Sequence, residues 1–354
     1  MVPHIGDKHA KTLIQYFTSA EKIFKARRSE LEKIPGIGRV RATGIAQFRN
    51  FKRAEEEIKF ISRYGIQPLV QGKSGYPDRL LHCDDAPHLM YYKGSIDLNA
   101  QKIISVIGTR TPSDYGREKT KEIIRDLSVF SPLVISGLAY GIDTLAHKFS
   151  IKNRLQTVGI LAHGLDRIYP AENKNLARAM VENGGLLTEF MSQTSPDAQN
   201  FPMRNRIVAG LADVVVVIET GRKGGSMITA DIANSYNKDV FALPGRASDM
   251  KSEGCNWLIR ENKAILFNTG REIAESMSWM AEEKAKVVYQ PALFPELNAA
   301  ETEIFNLICH ATPAGIDLIS MQSRMKASEL AALLLKLEMQ GVIIQMPGRF
   351  YKPA

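Results

Sequence analysis

A chain of 354 residues is long enough for two or three domains and can bury a core without crosslinks. Hydrophobic residues make up 44% and charged residues 24%, the balance of a globular protein, and no apolar run approaches the roughly 18 residues of a membrane helix. The amino end has no apolar signal-peptide core, so a cytoplasmic protein with no membrane partner is expected. Cys83, Cys255 and Cys309 lie far apart with no Cys-x-x-Cys pair, which argues against a disulfide scaffold and a structural zinc site.

The net charge of +8 is local. Residues 1–75 carry 15 Lys and Arg against 7 Asp and Glu, whereas 76–298 and 299–354 are each balanced. A basic segment beside a neutral body suits a phosphate-rich partner, although a solvated lysine-rich surface has the same composition. Residues 1–75 read as a module of short helices with an internal repeat: Val-Pro-His-Ile-Gly at 2–6 recurs as Ile-Pro-Gly-Ile-Gly at 34–38. The second copy has the form of a helix-hairpin-helix. Its turn, Gly36 to Gly38, can bring bare N–H groups to a phosphate at a helix start, and Arg39 and Arg41 would add charge. These four residues are a secondary DNA-contact candidate; a purely architectural role is the alternative. The first copy is degenerate, with His4 in place of glycine. The chain starts inside that copy, so a preceding helix is expected.

Residues 76–281 read as the main domain. Apolar runs at 103–107, 133–135, 157–161, 185–188, 214–218 and 240–243 read as strands. Helical stretches lie between them, near 116–128, 142–152, 173–183, 204–211 and 226–237. The run Val-Val-Val-Val-Ile at 214–218 is apolar on both faces, as a central parallel strand must be. Such alternation predicts a doubly wound α/β sheet, whose ligands bind at the carboxyl ends of the strands. Residues 282–298, broken by Pro291 and Pro295, read as a linker. Residues 299–354 end in two short strands around a Pro-Gly turn, which after helices fits a winged helix; its zero net charge makes a protein contact at least as good a reading as DNA.

The strand-end loops carry the chemistry. In Gly-Thr-Arg-Thr-Pro-Ser (108–113), Thr109 and the loop amides can face a phosphate and Arg110 can pair with it bidentately. The loop lacks the Gly-x-Gly-x-x-Gly pattern, so no nicotinamide cofactor is expected. Ser-Gly-Leu-Ala-Tyr-Gly (136–141) is a second Gly-rich loop, through Gly137. Asp143 and His147, one turn apart, suggest a local hydrogen bond before a metal site. Lys174 opens a helix, where a cation is unfavourable unless an anion binds. Arg204, Asn205 and Arg206 are read as the opening of another helix, with the same implication, and Phe201 as a ring that packs in the core or stacks on a base. Gly-Arg-Lys-Gly-Gly-Ser (221–226) lacks the Walker lysine, so no ATPase is expected. Glu219 is a conceivable general base without a partner acid.

Together the strings at 108–116, 136–143, 163–173, 201–210, 224–230, 240–245 and 252–259 resemble the DNA-processing protein A (DprA/Smf) family over nearly the whole chain. The resemblance implies an extended Rossmann-like domain between an amino-terminal helical module of helix-hairpin-helix or SAM-like type and a carboxy-terminal winged helix. It implies binding of single-stranded DNA without sequence preference and loading of the RecA recombinase during natural transformation. It also implies a homodimer through the central domain. Arg110 and Lys174 match the family's DNA-binding cations, and Arg204, Asn205 and Arg206 fall in the same pocket. Tyr140 stands where the family usually has Arg, and His163 where Gly is common. No metal, cofactor or catalytic residue is expected. The competing reading is a nucleotide phosphoribohydrolase that uses the Gly-rich loop and Glu219.

Overall fold

The computed structural model describes residues 2–279, 297–323, 325–346 and 348–353; most of the expected linker at 282–298 lies outside them. The chain divides into two units, residues 1–282 and 283–354.

The first unit begins with five helices: α1 (Asp7–Phe17), α2 (Ala20–Lys25), α3 (Arg28–Leu31), α4 (Arg39–Ala46) and α5 (Lys52–Tyr64). The internal repeat is a repeat of conformation. Gly36 takes the left-handed φ of 82° and its counterpart His4 takes 63°, a value uncommon outside glycine. Gly6 and Gly38 then stand as extended N-caps of α1 and α4, with no side-chain cap. The degenerate first copy therefore makes the same turn. Leu13, Ile23, Leu31, Ile34, Ile37, Ala42 and Ile45 bury a small shared core.

Arg41, a DNA-contact candidate in the sequence, also serves as a brace. Its Nε donates to the His4 carbonyl at 3.1 Å and its Nη1 to the Gly36 carbonyl at 3.0 Å, so one guanidinium ties the two hairpin turns together. Gly36, Gly38 and Arg39 remain exposed.

Helix α5 fastens this module to the sheet. Glu57 is buried, and its carboxylate accepts from Ser192 N at 3.0 Å and Ser192 Oγ at 2.6 Å. Arg53 pairs with Glu57 at 2.7 Å and donates to Ser192 Oγ at 3.0 Å.

The sheet opens with β1 (Gln67–Val70), α6 (Asp78–Leu81) and β2 (Leu89–Gly94). Residues 67–70, which the sequence grouped with the helical module, hydrogen-bond as an edge strand antiparallel to β2. The chain continues through β3 (Ile103–Ile107), α7 (Asp114–Leu127), β4 (Leu133–Ser136), α8 (Ile142–Lys152), β5 (Thr157–Ile160), α9 (Lys174–Asn183) and β6 (Gly184–Thr188). It returns through α10 (Asn200–Leu211), β7 (Val214–Val217), α11 (Gly225–Ser235), β8 (Asp239–Ala242), α12 (Glu253–Arg260), β9 (Ile265–Leu266) and α13 (Gly270–Ser276).

The strand order is β1-β2-β6-β5-β4-β3-β7-β8-β9, with β3 to β9 parallel to one another. Alternate residues of each central strand enter opposite cores. Val215 and Val217 pack with Ile207, Val208, Ala230 and Leu258, while Val214 and Val216 pack with Ile123, Ile124, Leu127 and Ile142. With a core on each face, β7 has no solvent side, and all four of its valines are buried. From β3 the order runs one way through β4, β5 and β6, and the other way through β7, β8 and β9. The sheet therefore has its switch point between β3 and β7, where their exit loops part and leave a crevice.

The second unit holds α14 (Ala299–His310), β10 (Ala314–Gly315), α15 (Ile316–Ser323), α16 (Ala327–Met339), β11 (Ile343–Met346) and β12 (Phe350–Pro353). Asn298 and Glu301 close a capping box at the start of α14. Three helices and the small sheet β10-β12-β11 make a winged helix around Ile304, Ile308, Leu334 and Leu337. No helix among the described residues is long and apolar enough to cross a membrane.

Candidate nucleic-acid interface

The crevice at the switch point holds a cleft of about 610 Å³. Gly108, Thr109 and Arg110 line it from the β3 loop, and Gly137 and Ala139 from the β4 loop. Thr220, Gly221, Gly224, Gly225 and Ser226 line it from the β7 loop, and Phe201, Arg204 and Asn205 from α10.

Each wall follows from local bonding. Thr109 N donates to the Glu219 carbonyl at 2.7 Å, and the Thr109 carbonyl accepts from Ile142 N at 3.1 Å, so the β3 loop is stitched to both neighbours. This leaves Arg110 exposed, with its guanidinium carbon 5.3 Å from the centre of the Phe201 ring. Opposite, Gly224 caps α11 with no side-chain cap, so the helix presents its first N–H groups and positive dipole end beside the cleft. Ser226 Oγ is buried there with no hydrogen-bond partner among the described residues.

Arg204 forms the floor. It is 5% exposed, donates to the Ile160 carbonyl and, through Nε, to Asn205 Oδ1 at 3.2 Å. Burial pushes the Asp143 carboxyl up, and the Arg204 charge pulls it back. Beneath them His147 is fully buried, with Nδ1 2.6 Å from Thr157 Oγ1 and Nε2 2.6 Å from the Gly137 carbonyl. Burial lowers its pKa to about 4, so it is a neutral strut. No group of three His, Cys, Asp or Glu among the described residues is placed to hold a metal ion.

The sequence-derived candidates separate here. Thr109, Arg110, Gly137, Arg204 and Asn205 converge on the cleft. Lys174 is the first residue of α9 and exposed, but it lies outside the cleft lining. Asn173 pins that helix start to the β4 loop and to α8, donating to the Leu138 carbonyl at 3.0 Å and Thr144 Oγ1 at 2.8 Å.

Arg206, expected in the same pocket, is not among the residues that line the cleft. It pairs with the buried Glu189 carboxylate and donates to the Asp85 carbonyl, so it braces α10 away from the cleft. The premise also fails: α10 starts at Asn200, which places Arg204 and Arg206 in its second turn.

Glu219 is fully buried. Its carboxylate accepts from Ser113 N at 2.9 Å and from Ser113 Oγ, anchoring the start of α7. The carboxylate is engaged at the start of α7, and Glu219 is not among the residues that line the cleft.

The loop at 221–226, set aside in the sequence for want of a Walker lysine, lines the cleft, and so does Tyr169, which the sequence did not single out. Gly224-Gly225-Ser226 was legible as a helix start, and the missing side-chain cap is the feature that points it to an anion.

The family model for DNA recombination-mediator protein A matches residues 67–278. The chain belongs to this family. Flanking models match as well: a helix-hairpin-helix motif over 1–58 and the DprA winged helix domain over 290–349. Protein Smf of Escherichia coli is 34% identical over 312 residues, which cover 85% of this chain and 81% of that protein. DNA processing protein DprA of Bacillus subtilis is 35% identical over 243 residues, 68% of this chain and 75% of its own. The X-ray structure of DprA from Streptococcus pneumoniae superposes with a TM-score of 0.60 at 30% identity, covering 77% of this chain and 98% of that one. A structure of DNA processing protein A from Helicobacter pylori, described for its single-stranded DNA binding mode, gives 0.56 at 28%, covering 61% and 97%. The chain is thus a recombination mediator of the DprA type, with the cleft inside the region that the family model spans.

Proposed function

We propose that the chain binds single-stranded DNA without sequence preference in the switch-point cleft and loads RecA recombinase onto it during natural transformation. The observation that carries this is the convergence of Arg110, the uncapped start of α11 and the unpartnered Ser226 hydroxyl on one cleft. Amides, hydroxyls and a guanidinium address a sugar-phosphate backbone, which is the same at every position. The description of the Helicobacter pylori relative supports the choice of a single strand. Lys174, on the exposed start of α9, extends the cationic path beyond the cleft. Gly36, Gly38 and Arg39 add a second phosphate contact on the helical module.

A homodimer through the central domain completes the reading. Ile265 and Leu266 support it: they sit on the edge strand β9, each about half exposed. The test is a titration with single- and double-stranded oligonucleotides at several salt concentrations, beside RecA filament assembly on strands covered by single-strand-binding protein. Single-strand preference, an affinity that falls with salt, and faster filament assembly are expected. Tighter binding to duplex would overturn the reading.

A further inference from the structure

We propose that Tyr140, Tyr169 and Phe201 form a stacking rail for the bases of the strand whose backbone the cleft holds, with Tyr140 as its outer rung. The inference rests on the single-strand reading above and adds the groups that recognise the bases.

Four observations carry it. Tyr140 and Tyr169 are large rings left 43% exposed on neighbouring strand-end loops; Tyr169 lines the cleft, and Tyr140 directly follows Ala139, which also lines it. Water contact with so much aromatic surface is unfavourable, so these rings suit a ligand that covers them. Tyr169 and Phe201 meet edge to face, with centres 6.2 Å apart and planes at 67°, and both line the cleft. Arg110 lies over Phe201, so the cation for the backbone and the ring for a base are adjacent. Tyr140 is fixed rather than loose: its hydroxyl donates to Glu172 Oε2 at 2.7 Å. That bond raises the Tyr140 hydroxyl above its ordinary pKa, with the nearby Tyr169 contributing in the same direction.

Cations alone would hold any polyanion. Rings select a nucleic acid, and they do so without reading sequence, because every base has a face to stack.

The experiment compares two strands of equal length on the full chain: a natural oligonucleotide and one with the same backbone and abasic tetrahydrofuran sites throughout. The abasic strand keeps every phosphate, and it should bind at least tenfold more weakly, since each stacked base contributes roughly tenfold. Tyr140→Ala should weaken the natural strand by several-fold and leave the abasic strand unchanged. Tyr140→Phe keeps the ring and should bind like the parent. Equal affinity for the two strands would overturn the rail. Loss of both strands in Tyr140→Ala, or no loss of either, would overturn the role of Tyr140. Failure of the parent to bind the natural strand would overturn the single-strand reading instead.

Discussion

The guanidinium of Arg204 lies against Gly137: a methyl group added to that glycine would fall 2.6 Å from Nη2 and 2.7 Å from Nη1. The β4 loop can approach the floor of the cleft only without a side chain. Gly137→Ala should therefore shift Arg204 and Asp143 together. We expect about 1–3 kcal/mol of lost stability from overpacking and a loss of strand binding of about tenfold. Thermal unfolding beside a strand titration on one preparation checks both.

Arg110 and Arg204, whose guanidinium carbons lie 5.3 and 5.9 Å from the centre of the Phe201 ring, should fail differently. Arg110 is exposed, and Arg110→Ala should weaken strand binding roughly tenfold or more at an unchanged melting temperature. The double change with Lys174→Ala should nearly abolish binding, still without unfolding. Arg204→Ala strips a buried charge from beside the buried Asp143, and a loss of about 3–5 kcal/mol is expected. Denaturant curves for the three variants separate a ligand contact from a structural pair.

Arg206→Ala should destabilise without touching the cleft, because it removes an ion-pair partner from Glu189, whose side chain is only 6% exposed. Binding measured well below its melting temperature, and the salt dependence of that binding, should match the parent.

Stability should fall as pH drops from about 6.5 towards 4. His147 is neutral in the fold, with its pKa held near 4, whereas in the unfolded chain it titrates near 6.5. Between these values the unfolded chain binds the extra proton, so the loss grows to about 3 kcal/mol and levels off below 4. Asp143, with its carboxyl raised, works in the opposite direction. The clean measurement is urea unfolding of the parent and of His147→Gln across this range, and the variant should show the shallower slope.

In the helical module, Arg39→Ala should lower DNA affinity by a few-fold and leave the fold intact. Arg41→Ala should lower the stability of the module, because both hairpin turns lose their shared donor. Circular dichroism melting and a strand titration distinguish them.

What the sequence disclosed depended on whether the determinant was local. The run at 103–107 is the strand β3 to the residue, and the helix read at 142–152 is α8. In both, the apolar pattern reports burial on the sheet directly. Edge strand β1 exposes two of its four residues, and β9 has only two residues, both exposed, so their pattern is too weak to read. Arg206 defeated the reading for another reason. Its partners, Glu189 and the Asp85 carbonyl, lie 17 and 121 positions away, and nothing near Arg206 announces them. Glu219 likewise looked available because Ser113, 106 positions earlier, satisfies it only in three dimensions.

The Ser192 clasp has a mechanical consequence. Glu57 and Arg53 grip a loop that runs on to Pro196 and Ala198 in the wall of the cleft. The hairpins and the cleft are thereby mounted on one frame, like the two jaws of a caliper set to a single opening. A strand too short to reach across that opening gains from one jaw alone. On the function proposed above, a strand that spans it is held by both, with the orientation of the second already set by the first, so affinity should rise with oligonucleotide length in a step and not as a ramp.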